Sequence, residues 1–214
     1  METRLEEGAK ARAKREQVLE AARRVFLREG YSATSTDVLA HEAGISKRTL
    51  YAYYSSKEEL FIEVVRKLTL ENPQTQVLDF VQRLEPRNPE ELHQALITLG
   101  RKVIATLMQP DDLALMRAII ADAHRFPRLT EILRSTIPER AAMEVSLMLE
   151  RARESGVAIQ PGDTAIMTRL FIGPLLSYVL FDGLLHPQDQ PQPPDAEKIE
   201  AIVNLFLKAI LKES

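Results

Sequence analysis

The chain has 214 residues, of which 45% are apolar and 28% are charged, a composition typical of a globular protein with a buried core. It contains no cysteine, which excludes disulfide scaffolds, thiolate metal sites and cysteine nucleophiles. The first residues lack the apolar segment of a secretory signal, and no stretch reaches about 18 uninterrupted apolar residues. We therefore expect a soluble, cytoplasmic protein that does not span a membrane.

Charge is spread unevenly along the chain, although the formal net charge is only −3. The stretch from Lys10 to Arg28 is basic and is opposed only by Glu16 and Glu20, whereas the acidic excess lies further along. Because salt screens charge over roughly 8 Å, a local basic patch can attract phosphate even on an acidic protein. A solvated helix face explains the stretch equally well, so charge alone does not indicate a nucleic-acid partner. The basic residues are Lys10, Arg12, Lys14, Arg15, Arg23, Arg24 and Arg28.

The apolar residues of the first 70 positions follow helical spacing, and no segment alternates β-branched with polar residues as strands do. One apolar stripe runs from Val18 to Phe26 and predicts a helix that ends at Gly30. Serine caps then predict three further helices: about 36–43 after Ser35, 47–54 after Ser46, and 57–70 after the capping box Ser56-Lys57-Glu58-Glu59.

Beyond residue 70 the predicted helices become longer and more apolar. Prolines and glycines separate them, and the Gly173-Pro174 pair is expected to kink the helix that contains it, because proline removes a hydrogen bond. These helices are predicted at about 74–84, 89–108, 111–124, 127–135, 139–155, 163–185 and 196–212.

Residues 35–54 have the layout of a helix–turn–helix. The two short helices are joined through Ala43-Gly44-Ile45-Ser46, where the glycine allows a positive φ and the serine begins the second helix. Leu50 is expected to face the core. The opposite face of this second helix carries cations, a hydroxyl and phenols, and these groups suit the major groove of DNA.

Each polar residue of this region has an expected DNA contact. Lys47 and Arg48 can reach guanine O6 and N7, and the Thr49 methyl can meet a thymine methyl. Tyrosine hydroxyls can reach phosphate oxygens, and Lys57 can bind a phosphate together with the free N–H groups of its helix. The predicted DNA-binding residues are Ser35, Thr36, Lys47, Arg48, Thr49, Tyr51, Tyr53 and Lys57.

The segment from Arg15 to Val64 resembles the DNA-binding domain of the TetR family of bacterial regulators. The matching motifs are the Ala22–Phe26 stripe, Gly30-Tyr31, Leu39-Ala40, Ala43-Gly44-Ile45-Ser46, Thr49-Leu50-Tyr51 and Ser56-Lys57-Glu58-Glu59-Leu60, in order and without a gap. The stretch from Leu115 to Thr136, with Arg117 and His124-Arg125-Phe126-Pro127-Arg128-Leu129, is similar to a region of AefR-like and AcrR-like members.

The resemblance implies an all-α protein with an N-terminal three-helix helix–turn–helix domain and a larger C-terminal helical bundle for ligand binding and dimerisation. The expected domains are a basic arm over 1–14, the DNA-binding domain over 15–60 and the bundle over 61–214. The implied function is a homodimeric repressor that leaves double-stranded operator DNA when a small lipophilic or amphipathic effector binds. No cofactor, metal or catalytic residue is implied.

Three positions depart from the family pattern. Thr36 stands where the family usually has an apolar residue, and Val38 where it is usually polar. Asp37 occupies a position at which some members carry a base-contacting cation, and an acid cannot hold phosphate, although it can accept from a cytosine amino group. The operator of a relative is therefore not transferable to this chain.

The final helix has an apolar stripe and its predecessor has small residues, so these last two long helices can supply a dimer contact. The resemblance implies that they form a four-helix interface with their mates. The alternative is that both helices close their own core. The predicted interface residues are Leu170, Gly173, Ser177, Phe181, Ile199, Ile202, Val203, Phe206 and Ile210.

The bundle is rich in flexible apolar side chains, which suit a promiscuous lipophilic ligand but also ordinary core filling. Arg117 lies among apolar residues and needs a partner if it is buried; Asp122, Glu144 and an anionic ligand are all candidates. The predicted pocket residues are Leu107, Met116, Arg117, Ile120, Met143, Leu147 and Phe171.

Two other functions compete with a ligand-controlled regulator. An enzyme lacks support because no nucleophile elbow, dinucleotide-binding, phosphate-binding or zinc-protease motif is present, and the Glu90-x-x-His93 pair has no second copy with which to build a di-iron site. A DNA-binding architectural or partner-controlled factor without a small-molecule ligand remains the main alternative.

Overall fold

The computed structural model describes residues 2–70, 77–122, 127, 131, 138–186 and 190–212, and these residues form helices joined by short turns. The only β-type pairing in these ranges is an isolated antiparallel bridge between Ile159 and Leu211. The helices are α1 (Glu2–Glu29), α2 (Thr36–Glu42), α3 (Lys47–Tyr53), α4 (Lys57–Leu70), α5 (Val77–Gln82), α6 (Pro89–Leu107), α7 (Pro110–Asp122), α8 (Pro138–Glu154), α9 (Thr164–Tyr178), a π-helix (Val179–Leu184) and α10 (Ala196–Ile210).

The chain divides into two compact units. The first comprises residues 1–71 and 114–133, and the second comprises 72–113 and 134–214. The sequence predicted a boundary near residue 60 and a separate basic arm over 1–14, whereas the backbone of residues 2–14 is part of α1. Residues 114–122 of α7 belong to the first unit, which no feature of the sequence had predicted.

The first unit is built around the apolar stripe of α1. Val25 and Phe26 are fully buried, and the Phe26 ring lies edge-on to Phe61 of α4 with 4.8 Å between ring centroids. Tyr31 also packs against Phe61, with 4.9 Å between ring centroids. Burial raises the pKa of Tyr31 to about 12, so its hydroxyl stays neutral at physiological pH. This aromatic cluster fixes α4 against α1 and leaves α2 and α3 to pack on its margin.

The second unit has its core between α6, α8, α9 and α10. Phe171 of α9 is fully buried and lies 5.4 Å from Phe206 of α10. A Cβ added at Gly100 of α6 would stand 3.1 Å from Cγ2 of Ile199, so α6 and α10 approach closely at this glycine. Interdigitation of this kind is expected of a helical core.

Most predicted helix bounds are confirmed within a few residues, with two differences. The helix predicted over 163–185 runs through Pro174 as α9 but continues as a π-helix from Val179. The helix predicted over 127–135 falls largely outside the described residues, as does the start of the one predicted over 74–84.

By length and composition alone, the helical stretch Thr164–Leu184 would suffice to cross a membrane, with a mean hydropathy of 1.5. Its few charged residues interrupt what would otherwise be a long apolar run. The stretch is apolar on two sides: Phe171 and Leu175 lie in the core, whereas Leu170 and Phe181 are exposed. Its hydropathy therefore follows from one face in the core and a second apolar face on the surface.

Candidate nucleic-acid interface

Two serine caps and one glycine set the geometry of α2 and α3. Ser35 accepts from the Val38 N–H at 3.2 Å and Ser46 from the Thr49 N–H at 3.1 Å, so both predicted N-caps are confirmed. Gly44 adopts a φ of +63°, a left-handed conformation that favours glycine. Together these contacts fix where α2 ends and α3 begins.

Gln17 of α1 also holds this turn in place, and the sequence analysis did not identify it. Its side-chain amide donates to the Ala43 carbonyl at 2.9 Å, at the C-terminal end of α2. Its position was the one available signal in the sequence: Gln17 directly precedes the buried Val18 and so lies at the edge of the apolar stripe. Gln17 therefore anchors the helix–turn–helix on α1.

The helix α3 separates an inward from an outward side. Leu50 is 3% exposed and belongs to the core, as predicted. Lys47 and Arg48 are exposed, and so is Tyr51, at 46%. Tyr53 is half-buried against the core. No hydrogen bond or ion pair with another described residue engages Arg48, so its guanidinium is available to a ligand outside the chain.

The remaining predicted contacts are less accessible. Thr49 is half-buried, and its hydroxyl lies 2.8 Å from the hydroxyl of Ser46. Thr36 is also half-buried, whereas Ser35 is exposed although its hydroxyl serves as the α2 cap. A DNA contact from Ser35 or Thr49 would therefore have to share a hydroxyl already used within the protein.

Lys57 has a structural role that differs from the predicted one. Its ammonium donates to the Tyr31 carbonyl at 2.9 Å and to the Thr34 carbonyl at 2.8 Å, and it lies 4.3 Å from the centre of the Tyr31 ring. Burial lowers its pKa, and the charge of Asp122 opposes this effect. The prediction of a phosphate contact is corrected, because two of the three ammonium donors are directed into the protein, where they fasten α4 to the turn before α2.

The capping box before α4 makes the first of its two predicted contacts. Ser56 accepts from the Glu59 N–H at 3.0 Å, as expected. The Glu59 carboxylate also accepts from the N–H of Ser55, at 2.6 Å.

Acidic neighbours pair with much of the N-terminal basic stretch. Arg23 forms a bidentate contact with Glu20, at 2.8 and 3.1 Å. Arg24 lies 3.0 Å from Glu42 of α2, and Arg28 lies 2.9 Å from Glu29. These exposed pairs contribute little to stability. They do reduce the positive charge that this stretch offers to phosphate, so the cations of α3 carry more of the expected attraction.

One acid is placed among those cations. Asp37, in the first turn of α2, lies 3.0 Å from the ammonium of Lys47, the first residue of α3. Asp37 was expected at a DNA-facing position, but this ion pair was not predicted. Spacing along the chain could not show it, because the two residues belong to different helices.

The predicted pocket residues are divided between the two compact units. Met116, Arg117 and Ile120 belong to the first unit, and the other four belong to the second. Ile120 is 54% exposed and Met143 is 63% exposed, whereas Phe171 is fully buried in the core. These three assignments are corrected: an exposed or core-filling side chain of this kind does not line a closed cavity.

A cleft of about 410 Å³ lies elsewhere in the second unit, between α5, the following turn and the start of α6. It contains none of the predicted pocket residues. In the Glu90-x-x-His93 pair near it, the His93 Nε2 lies 3.0 Å from the Asn204 amide oxygen. The lining residues are Phe80, Arg83, Leu84, Glu85, Pro86, Glu90, Glu91, Gln94, Ala95 and Thr98.

The predicted dimer residues fall into two classes. Those of α10 face the core of their own unit: Ile199, Val203, Phe206 and Ile210 are at most 4% exposed, and Ile202 is half-buried. The prediction that this stripe faces a second protomer is therefore corrected in favour of the alternative. The residues of α9 and the π-helix, Leu170, Gly173, Ser177 and Phe181, are all exposed.

Further exposed apolar residues on these helices were not predicted from the sequence. They belong to α9, the π-helix or α10, and Leu205 is the most exposed of them at 68%. Leu205 lies between the buried Val203 and Phe206, so its outward position was visible as an apolar residue off the stripe. We call the set the outer apolar face: Ile166, Leu170, Gly173, Ser177, Leu180, Phe181 and Leu205.

Comparison with known families gives two matches. Residues 18–64 match the model of the N-terminal domain described as "Bacterial regulatory proteins, tetR family". Residues 94–209, more than half of the chain, match the model of the "AefR-like transcriptional repressor, C-terminal domain". The first match contains α2, α3 and the start of α4, and the second contains the outer apolar face.

Individual proteins agree with these matches. An uncharacterized HTH-type transcriptional regulator of Bacillus subtilis (strain 168), YhgD, is 37% identical over 84 residues, which cover 38% of this chain and 42% of that regulator. The chain thus matches less than half of the length of YhgD. The structure of a TetR-family transcriptional regulator from Mesorhizobium loti has a TM-score of 0.72 at 26% identity, covering 94% of this chain and 98% of that one.

A second solved structure has a name that refers to a ligand. The flavonoid-responsive regulator FrrA is 28% identical in sequence, has a TM-score of 0.67, and the superposition covers 94% of this chain and 99% of FrrA. The two structures together match nearly the whole of the chain in fold.

Proposed function

Because this chain belongs to the TetR family of bacterial regulatory proteins, we propose that it is a cytoplasmic, homodimeric repressor that grips operator DNA with α3 and releases it when a lipophilic small molecule binds. One observation carries the proposal. The helix α3 buries Leu50 and presents Lys47, Arg48 and Tyr51 outward. A capped helix with cations at its start suits insertion into a major groove.

Within this proposal, each exposed residue of α3 has a role. Arg48 reads a base edge, because a guanidinium can make a bidentate contact with guanine O6 and N7. Lys47 lies one residue earlier and contacts the neighbouring base pair of the operator. The Tyr51 hydroxyl, at the outer edge of the helix, contacts a phosphate. Asp37 and Lys57 are not phosphate contacts.

Dimerisation through the outer apolar face supports a two-fold operator. Leu170, Phe181 and Leu205 are each more than half exposed, and apolar side chains at this density are unusual on a monomer surface. A second copy of the chain covers them if α9 and α10 of two protomers pack together. The two recognition helices then meet half-sites roughly 34–36 Å apart.

The repressor and effector parts of the proposal draw on the relatives. The C-terminal match is to a domain described as that of a transcriptional repressor, and FrrA is named as responsive to flavonoids. We therefore propose an apolar, polycyclic or amphipathic effector. It acts by favouring a dimer whose two α3 helices no longer fit adjacent major grooves, and a shift from 1:99 to 99:1 needs about 5.5 kcal/mol of differential affinity.

Selection of bound duplexes from a random pool tests the DNA part. We expect enrichment of a pseudo-palindrome whose half-sites are about one helical turn apart. The variant Arg48→Ala should lose the base preference at one position of each half-site, whereas Lys208→Ala, which removes an exposed cation of the second unit, should retain the whole motif. A pool that stays random at low salt with the wild-type protein would overturn the proposed function.

Titration of the selected duplex complex with a panel of flavonoids and other lipophilic compounds tests the effector part. We expect at least one compound to lower operator affinity in a saturable way. Constant operator affinity across the panel would remove the effector from the proposal and would favour a DNA-binding factor controlled by a partner.

A further inference from the structure

The ion pair between Asp37 and Lys47 joins the two short helices on the side that carries the exposed cations. The Lys47 Nζ lies 3.0 Å from the Asp37 Oδ2, and ten residues separate the pair along the chain. Both side chains are accessible: 73% of the Asp37 side chain and 48% of the Lys47 side chain are exposed. The pair therefore sits where an incoming duplex would meet it.

The ion pair formed by Asp37 contributes little to the stability of the folded protein. An exposed ion pair contributes only about 0–1 kcal/mol, because water screens the charges and two flexible side chains must be held still. The two helices already have serine caps, the Gln17 contact and a buried Leu50. An effect on DNA binding therefore explains the position of Asp37 better than an effect on folding does.

An acid beside a DNA-facing lysine acts differently on random and on specific DNA. Binding to random DNA depends on the number of phosphates that cations neutralise, and each one steepens the salt dependence by about 0.9 in log K per log salt. Asp37 cancels the charge of Lys47 and so removes about one such contact. A base contact depends instead on where the ammonium points, which the carboxylate restrains.

Resting on the proposed function, we propose that Asp37 is a specificity-determining residue that acts through Lys47. It lowers the affinity for random duplexes while it positions the Lys47 ammonium for one base pair of the operator. Asp37 therefore changes the ratio of operator affinity to random-duplex affinity, and it changes the base preference at that one base pair.

Salt titrations of Asp37→Asn on the selected operator and on a random duplex test the charge effect. We expect tighter random binding, by up to about eightfold at 0.1 M salt, and a salt slope steeper by about 0.9. Operator affinity should change much less, so the ratio of operator affinity to random-duplex affinity falls. Glu154→Gln makes the same charge change on the exposed end of α8 and should leave the ratio as in the wild type. An equal gain on both duplexes would overturn the proposal.

Base preference tests whether Asp37 acts through Lys47. Affinities are measured on operators substituted at each position. Lys47→Ala should abolish the base preference at one base-pair position, and Asp37→Asn should weaken the preference at the same position. The double variant should have the same base preferences as Lys47→Ala. Loss at a different position would show that Asp37 contacts a base itself and would contradict the inference.

The two levels of failure can be told apart. If the wild-type protein selects no operator, the proposed function and this inference fall together. If it selects one and Asp37→Asn retains both the wild-type ratio and the wild-type base preferences, the inference alone is wrong.

Discussion

The Asp122 carboxylate accepts hydrogen bonds from both the backbone N–H and the hydroxyl of Ser32, although 90 residues separate them along the chain. The N–H contact measures 2.9 Å, and Asp122 is only 7% exposed. On the same helix, α7, Leu115 and Ile119 are buried in the aromatic core of the first unit. The end of α7 is therefore an integral part of the DNA-binding unit and holds the turn that precedes α2.

Removal of the Asp122 carboxylate should destabilise this unit. We expect Asp122→Ala to lower the free energy of unfolding by about 1–3 kcal/mol, because hydrogen bonds to a charged group are lost from a buried position. Ser32→Ala removes only the hydroxyl contact and should cost less. Denaturant titration measures both, and an Asp122→Ala midpoint equal to that of the wild type would show that the contact carries no stability.

The turn between α2 and α3 should depend on the glycine at its corner. Gly44→Ala is expected to lower the free energy of unfolding by about 1 kcal/mol, because an L side chain disfavours a φ of +63°. Steric overlap is not the reason, since the added Cβ would lie 3.9 Å from the nearest atom, Nε2 of Gln17. Gly44→Asn should cost less, because asparagine tolerates this region better. If the two variants are equally stable, backbone strain is not the cause.

Asp112, in the first turn of α7, should make stability depend on pH. Burial, with a smaller effect of Asp111, raises its pKa from 3.8 to about 6. The folded state therefore favours the protonated form, and stability is lost as the pH rises from about 4 to 6 and stays lower above that range. The full shift would correspond to roughly 3 kcal/mol, which partial exposure reduces to about 1–2 kcal/mol.

Asp112→Asn should accordingly raise the melting temperature at pH 7 and leave it nearly unchanged at pH 4. Thermal unfolding at both pH values measures the effect. A variant that is no more stable than the wild type at pH 7 would show that the carboxyl is not desolvated in the folded protein.

The outer apolar face should control the oligomeric state. Leu205→Glu and Phe181→Glu each place a charge at a position that is more than 60% exposed in one protomer, so the fold tolerates them, but a dimer would have to bury that charge. We expect a shift to monomers in sedimentation velocity and a loss of operator affinity. Met143→Glu, on α8 and equally exposed, is the matched control and should remain dimeric. If all three variants remain dimers with unchanged operator affinity, the dimer interface lies elsewhere.

Local signals in the sequence predicted the helix–turn–helix well, because serine caps and glycine ends act within a few residues. Ser35, Ser46, Gly30 and Gly44 each have the predicted role, and Leu50 faces inward. The family resemblance, the all-helical fold and the role of a helix–turn–helix regulator are likewise confirmed.

Contacts between distant segments could not be predicted in the same way. Periodicity showed that one face of α10 is apolar, but not whether its own unit or a second protomer covers it; Val203 and Phe206 lie in the core of the unit. Lys57 was expected to face phosphate because it begins a helix, yet the carbonyls of Tyr31 and Thr34 lie within its reach. Only the folded chain shows those carbonyls.

Direct readout by Arg48 is the central claim of this account, and operator affinity at a fixed salt concentration tests it. Fluorescence anisotropy with the selected operator should show a loss of about 1–3 kcal/mol for Arg48→Ala, and base substitution at one operator position should then no longer matter to that variant. If Arg48→Ala binds the operator as tightly and as selectively as the wild type does, direct readout by Arg48 is contradicted.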